Sequence, residues 1–416
     1  MSRQRLQLTR IQPSDYRFHT DASLPVPFFG ALTFKEEGLR SKFLTSRIPL
    51  IALALAVALL PAVASAQAVI KVNDDVNFKV GLLLQAQADW QEVANATNTD
   101  SGGFQQNMLL RRARIILGGQ VAPNVFFYVD TENANLGKTT VGGTGTGAKA
   151  PATGFSLLDA VGEWRVDKAF NIQFGEILVP TNRWILTSSA STFMLDQSAY
   201  NTVQTSALQN QSGRDTGFMA RGYFFNDRLE YRSALLSGYR APGARNSFRI
   251  TERLQYNFFD TEVYALPSYA GANFGKRKIL ALGAAYDAQG DYQYGSADLF
   301  GDFPTGFGSV EGTLAWQYIN GNKLLTSLPE QNTESAEAGV FFKGVQVAPI
   351  VRYEEKNYTL PSNQTKNEHR VAVGFNWYPY QKYINNFNIK VWWQKVTPKV
   401  GYATNEFTVQ MQVFYF

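Results

Sequence analysis

The stretch 108–132, MLLRRARIILGGQVAPNVFFYVDTE, sets Arg112 and Arg114 two apart in one extended run and Asp130 and Glu132 two apart in the next. A guanidinium fork grips a carboxylate or a phosphate through paired N–H bonds. These four residues can therefore pair across a hairpin and stiffen it, or hold their charges out to a passing ion. The pattern leaves both open. The same period-two phase adds Arg165, Arg221, Arg228, Arg232, Arg249, Arg253, Arg352 and Lys390 as inward basic candidates, and Asp159, Glu163, Asp215, Glu230 and Glu354 as inward acids. Segments 228–238 and 247–257 set four of these arginines against Glu230 alone, which predicts a locally positive wall. Rows of arginine or lysine along a pore favour anions.

Other chemistry is poorly supplied. The chain has no cysteine, so disulfides and thiolate metal sites are excluded. Beyond residue 66 the one histidine is His369, in NEHR, and neither G-x-S-x-G nor H-E-x-x-H occurs. A hydrolase would want a histidine as general base, so no catalytic residue, metal ligand or cofactor is expected, and His369 reads as a solvated residue at a strand end.

The elements that must position the arginines are strands. Apolar residues alternate with polar ones in 229–235, 387–393 and 407–415, the period of an extended chain with two unlike faces. Seventeen such segments run from 76–90 to 405–416. The weakest, 261–268 (TEVYALPS), contains Pro267 and reads as a turn, because proline removes a ladder bond. About sixteen strands remain, an even number, joined alternately by short turns and long loops, as in outer-membrane barrels. The expected fold is all-β: a transmembrane antiparallel barrel with an inward-folded third outer loop, 178–213. That loop carries the apolar anchors Trp184, Phe193, Met194, Leu195 and Tyr200, and Arg183, Trp184 and Asp196 are its constriction candidates.

In this frame Leu109, Ala113, Ile115 and Leu117 face lipid, where a charge at mid-depth costs about 2–4 kcal/mol. A turn near Val121 brings Arg112 opposite Asp130 or Glu132. Tyr and Phe clusters, among them 126–128, 223–225 and Tyr378, are expected in the interfacial girdles. Phe416 falls out of phase with the last strand, and Glu252 falls on the lipid side, where a subunit interface would accommodate it.

Residues 1–66 stand apart. Lys42 and Arg47 precede the apolar run 48–63, and Ala64-Ser65-Ala66 follows, the pattern of a cleaved secretory signal. The mature chain is then 67–416, one domain beginning at Gln67. The leader holds eight of the 39 basic and four of the 34 acidic residues, so 31 and 30 remain and the mature net charge is +1. No clustered positive excess is left for nucleic acid.

LLRRARIILGGQVAPNVFFYVDTE, LLDAVGEWRVDKAFNIQFGEILVP, LTSS and GRDTGFMARGYFFNDRLEYRSALLSG resemble the phosphate-selective porin O/P family over about 104–240. Looser echoes follow in ILALGAAYD, YGSADLF and AEAGVFFKGVQVAPIVRYEE. The resemblance implies a sixteen-stranded porin of the bacterial outer membrane, trimeric, with lipid around it and small anions such as phosphate diffusing through it. Arg111, Arg112 and Arg114 lie in the matching stretch. Where the family reads G-Q-x-x-x-P-F, this chain has GEILVPT, and the loop after it holds few cations. The alternatives are a barrel enzyme, a plugged adhesin or structural barrel, and a porin for uncharged or aromatic solutes. Conductance across a planar bilayer separates a porin from the first two.

Overall fold

A computed structural model of the chain describes residues 69–93, 103–139, 154–202, 208, 213–240, 247–263 and 268–416. The leader and the expected start at Gln67 lie outside the described residues. Strand β1 (Val69–Lys71) leads into β2 (Asn77–Glu92), β3 (Phe104–Ala122), β4 (Val125–Leu136), β5 (Ser156–Arg165), β6 (Asn171–Leu178), β7 (Arg214–Phe224), β8 (Leu229–Leu236) and β9 (Arg249–Asn257). Then come β10 (Ile279–Gln289), β11 (Tyr292–Thr305), β12 (Gly308–Asn320), β13 (Gln331–Phe342), β14 (Val347–Tyr358), β15 (Glu368–Trp377), β16 (Phe387–Pro398) and β17 (Thr404–Tyr415).

From β2 onward each strand pairs antiparallel with the next, and β17 pairs back onto β2, closing a sixteen-stranded barrel with no free edge. β1 adds a three-residue pairing to β2. Closure satisfies every ladder within the sheet, which a bilayer demands of a spanning β structure. The segment 261–268 forms no strand in its described residues, while 264–267 lie outside them.

The alternation sorts residues in the reverse of a soluble sheet. On β9, Arg253 is 2% exposed while its neighbour Leu254 is 55% exposed. On β12, Ser309, Glu311, Thr313 and Gln317 are buried, and Val310, Leu314 and Trp316 are exposed. Apolar residues out and polar residues in is what a barrel surrounded by lipid requires.

The expectations for Leu109 and Tyr378 need correction. Leu109 is buried, in phase with Asn107, because a bulge at Arg111 reverses the alternation partway along β3. Phe416 is out of phase with the lipid-facing series of the last strand, as expected: it follows the inward series Thr408, Gln410 and Gln412, and its ring meets Tyr128 edge-on at 5.8 Å. That ring needs glycine beneath it, since a Cβ at Gly118 would stand 2.8 Å from its tip. Tyr378 also leaves the girdle, being buried inside the barrel with Phe341 and Phe193.

Candidate functional site

The bulge that misled the reading of Leu109 also builds the most prominent charged feature. Arg112 pairs with Gln85 and Leu110 with Ala86, so Arg111 is the extra residue. A bulge re-aims side chains, and here two consecutive arginines reach inward together. Both grip one carboxylate. Asp196 Oδ2 accepts from Arg111 Nε and Nη2 at 3.1 and 2.7 Å, and its Oδ1 accepts from Arg112 Nη2 at 2.7 Å. Burial opposes the charge on Asp196, but the two arginines outweigh it and hold the carboxyl well below the usual range.

Arg114, one pleat further, donates to Glu132 at 2.8 Å and to Asp130 at 3.3 Å. Arg112 approaches Glu132 only to 3.7 Å, because the ladder sets it opposite Ala134 rather than either acid. On β7, Arg214 holds Asp159 through bonds of 3.0 and 2.9 Å. These residues border a cavity of about 550 Å³ enclosed by strands β2–β7 and β14–β17 and by residues 185–202 of the long loop. Among the described residues its charged lining is balanced. Arg111, Arg112, Arg114, Lys138, Arg214, Arg352 and Arg370 make seven basic groups, facing seven acids: Asp89, Asp130, Glu132, Asp159, Asp196, Glu354 and Glu406.

The positive wall expected from β8 and β9 does not exist as such. Arg232 is bound to Glu230 at 2.8 Å. Arg249 is held by Asp287 and Arg253 by Asp298, the latter at 2.7 and 2.8 Å. Arg228 does not stand on the wall at all. It lies in the turn before β8, exposed, and donates to the Phe258 carbonyl at 2.6 Å. The acids that neutralise Arg249 and Arg253 sit on β10 and β11, so counting charge on two strands missed them. Applying the inward frame to 277–299 would have found both.

Elsewhere Arg165 and Arg221 share Glu163, at 2.6 and 2.9 Å. Arg352 binds Glu337 at 2.6 Å and the Asp196 carbonyl at 2.7 Å. Lys390 donates to the carbonyls of Thr192 and Met194, so basic wall residues hold the loop backbone or its carboxylate from the β3, β14 and β16 sides. His369 is exposed at the start of β15 and stacks on Tyr353 at 6.2 Å.

The loop's own polar residues are buried deeply. A single helical turn, Arg183–Leu186, is capped by the Asn182 side chain, which accepts from Ile185 N at 3.0 Å. Arg183 makes two 2.8 Å bonds to Glu262, and Trp184 Nε1 donates to Ser335 Oγ at 3.0 Å. Glu262 and Tyr269 were not singled out from sequence, since they lie in and beside the segment read as a plain turn.

A closed barrel with an apolar exterior and a charged, partly open interior is the architecture of outer-membrane porins. Among solved structures, OmpF of Salmonella typhi in complex with daunomycin superposes with a TM-score of 0.51 at 12% identity, over 83% of this chain and 100% of that one. The outer-membrane channel DcaP of Acinetobacter baumannii gives 0.52 at 11% identity, over 83% and 99%. Identities this low establish the fold. The family model described as phosphate-selective porin O and P matches residues 78–226, the family that the sequence resembles. No curated protein matches the sequence. Family and fold together support an outer-membrane porin.

Proposed function

We propose that the chain is a diffusion porin for small hydrophilic solutes, anions such as phosphate among them, acting as a homotrimer after loss of residues 1–66. The observation that supports this most is the cavity of about 550 Å³ onto which Arg111, Arg112, Arg114 and Arg214 open. The fork that Asp196 fills has the geometry that a carboxylate or phosphate would use. Residues 178–213 narrow the passage in this reading. Because seven acids answer seven bases along the lining, the anion preference is modest rather than absolute.

A trimer is favoured by the outer face of β6–β9. There Glu176 accepts from Thr216 and Glu252 accepts from Ser233, both at 2.7 Å, although the surrounding positions are apolar. Carboxylates are better placed against another subunit than against acyl chains.

Purified protein in a planar bilayer tests the reading. Ion-conducting steps are expected, and phosphate added to a chloride solution should lower the chloride current by competing for the arginines. A bilayer that stays silent would rule out a porin, and a chloride current indifferent to phosphate would remove the phosphate part.

A further inference from the structure

We propose that Glu262 and residues 268–275 form a strut that enters the barrel from its short-turn end and sets the position of the long loop, so that the passage is braced from the periplasmic side. The proposal rests on the reading that 178–213 narrows the passage. At this end β3 and β4 are joined by two residues, and β11 and β12 likewise, whereas 21 residues separate Asn257 from Ile279. Short turns are the rule on the periplasmic side of a barrel, so a long connection there calls for a purpose.

Part of it is buried rather than solvated. Tyr269 is 1% exposed and Glu262 is fully buried. The segment pairs with the loop through backbone: Ser188 N donates to Tyr269 O at 2.9 Å, and Tyr269 N donates to Leu186 O at 2.6 Å, forming a parallel bridge. Gly271 N adds a bond to Ser191 Oγ at 3.0 Å. Arg183 of the loop joins the strut by its two bonds to Glu262 and one of 3.2 Å to the Ala270 carbonyl. The Tyr269 ring lies between the guanidinium groups of Arg183 and Arg232, at 4.9 and 4.8 Å, while its hydroxyl donates to Glu230.

The far end of the strut is fastened to the wall. Asp302 and Glu311 face each other across β11 and β12. Gly275 N donates to Asp302, while Asn273 N and Phe274 N donate to Glu311 at 3.2 and 2.9 Å. Phe274 takes a left-handed φ of 55°, uncommon for a bulky residue. That conformation accompanies an edge-on packing of its ring against Phe193 of the loop and against Phe341 and Tyr378. Wall, strut and loop are thus joined by charge, backbone and ring contacts in series. Asp196, held by Arg111 and Arg112, fixes the opposite edge of the loop.

The test is single-channel conductance of the full mature protein in planar bilayers, with heat-modifiable gel mobility reporting that each barrel is intact. Tyr269→Ala removes the ring between the two arginines, and Glu262→Gln, which preserves shape, serves should the first variant fail to insert. A channel lacking residues 192–195 is the reference for a loop that no longer narrows the passage. The strut variants should shift conductance upward toward the reference value, with noisier open states. If the reference channel widens while both strut variants keep the parental conductance, the strut is overturned and the constriction stands. If the reference channel does not widen either, the constriction fails and the strut with it.

Discussion

Arg111, Arg112, Arg114 and Arg214, on β3 and β7, keep 25%, 7%, 11% and 13% of their side-chain surface open. Arg232, Arg249 and Arg253, on β8 and β9, keep 2% or less. Both sets face inward, and both are matched by carboxylates. The difference is water. An ion pair sealed from solvent spends its field on its partner, and breaking it strands a charge. A pair that borders a wet passage can exchange its partner for a passing ion. The first set therefore suits a filter and the second suits struts, although an inward phase in the sequence is common to both.

The largest effect that separates them is on stability. Arg253→Leu leaves Asp298 buried without its guanidinium, a loss of about 3–5 kcal/mol. Heating the barrel and following its gel mobility should show a much earlier transition. Replacing Arg253 and Asp298 together by leucine should recover most of that loss. A single variant as heat-resistant as the parent would mean that the pair is not sealed.

Selectivity should respond to the other set. Unit charges about 8 Å apart interact by about 2 kcal/mol at an effective dielectric of 20, so removing two arginines beside the passage changes permeation by a large factor. Arg111→Gln with Arg112→Gln should move the channel toward cations, the more so because Asp196 then stands uncompensated. Raising salt from 0.1 to 1 M shortens the screening length from about 10 to about 3 Å. The parental preference should fade over that range, and a preference independent of salt would point to steric selection.

The smallest expected effect is with pH. The folded Asp196 carboxyl titrates below its unfolded value of about 3.9. Its contribution to stability is thus complete above that value and lost only as pH falls through the lower, folded one. Open-channel noise should stay flat from pH 7 to about 4 and rise below it. A rise near neutral pH would mean that a group other than Asp196 governs release of the loop.

The sixteen strands were legible because lipid on one side and water on the other impose a strict alternation on every strand, and the charges mark the wet face. What broke the alternation was also what mattered. The bulge at Arg111 leaves no mark in hydrophobicity, since Leu109 reads as lipid-facing by composition alone. Arg228 keeps the inward phase yet lies in the turn, because phase carries no information about depth. The pairing of Arg249 and Arg253 was hidden by reading strands singly, when a barrel places β10 and β11 within reach. The strut was least legible. Pro267 argued against a strand at 261–268, and the described residues of that segment form none, but no local pattern shows that Glu262 and Tyr269 turn inward to meet a loop 79 and 82 residues away in sequence.

The most direct test is the reversal potential in a KCl gradient, measured on two channels. One carries Arg111→Gln and Arg112→Gln; the other carries Arg253→Gln and Asp298→Asn, which removes a sealed pair without changing net charge. The first potential should move toward cation preference, and the second should stay at the parental value. A shift in the second channel and none in the first would contradict the division into filter and struts.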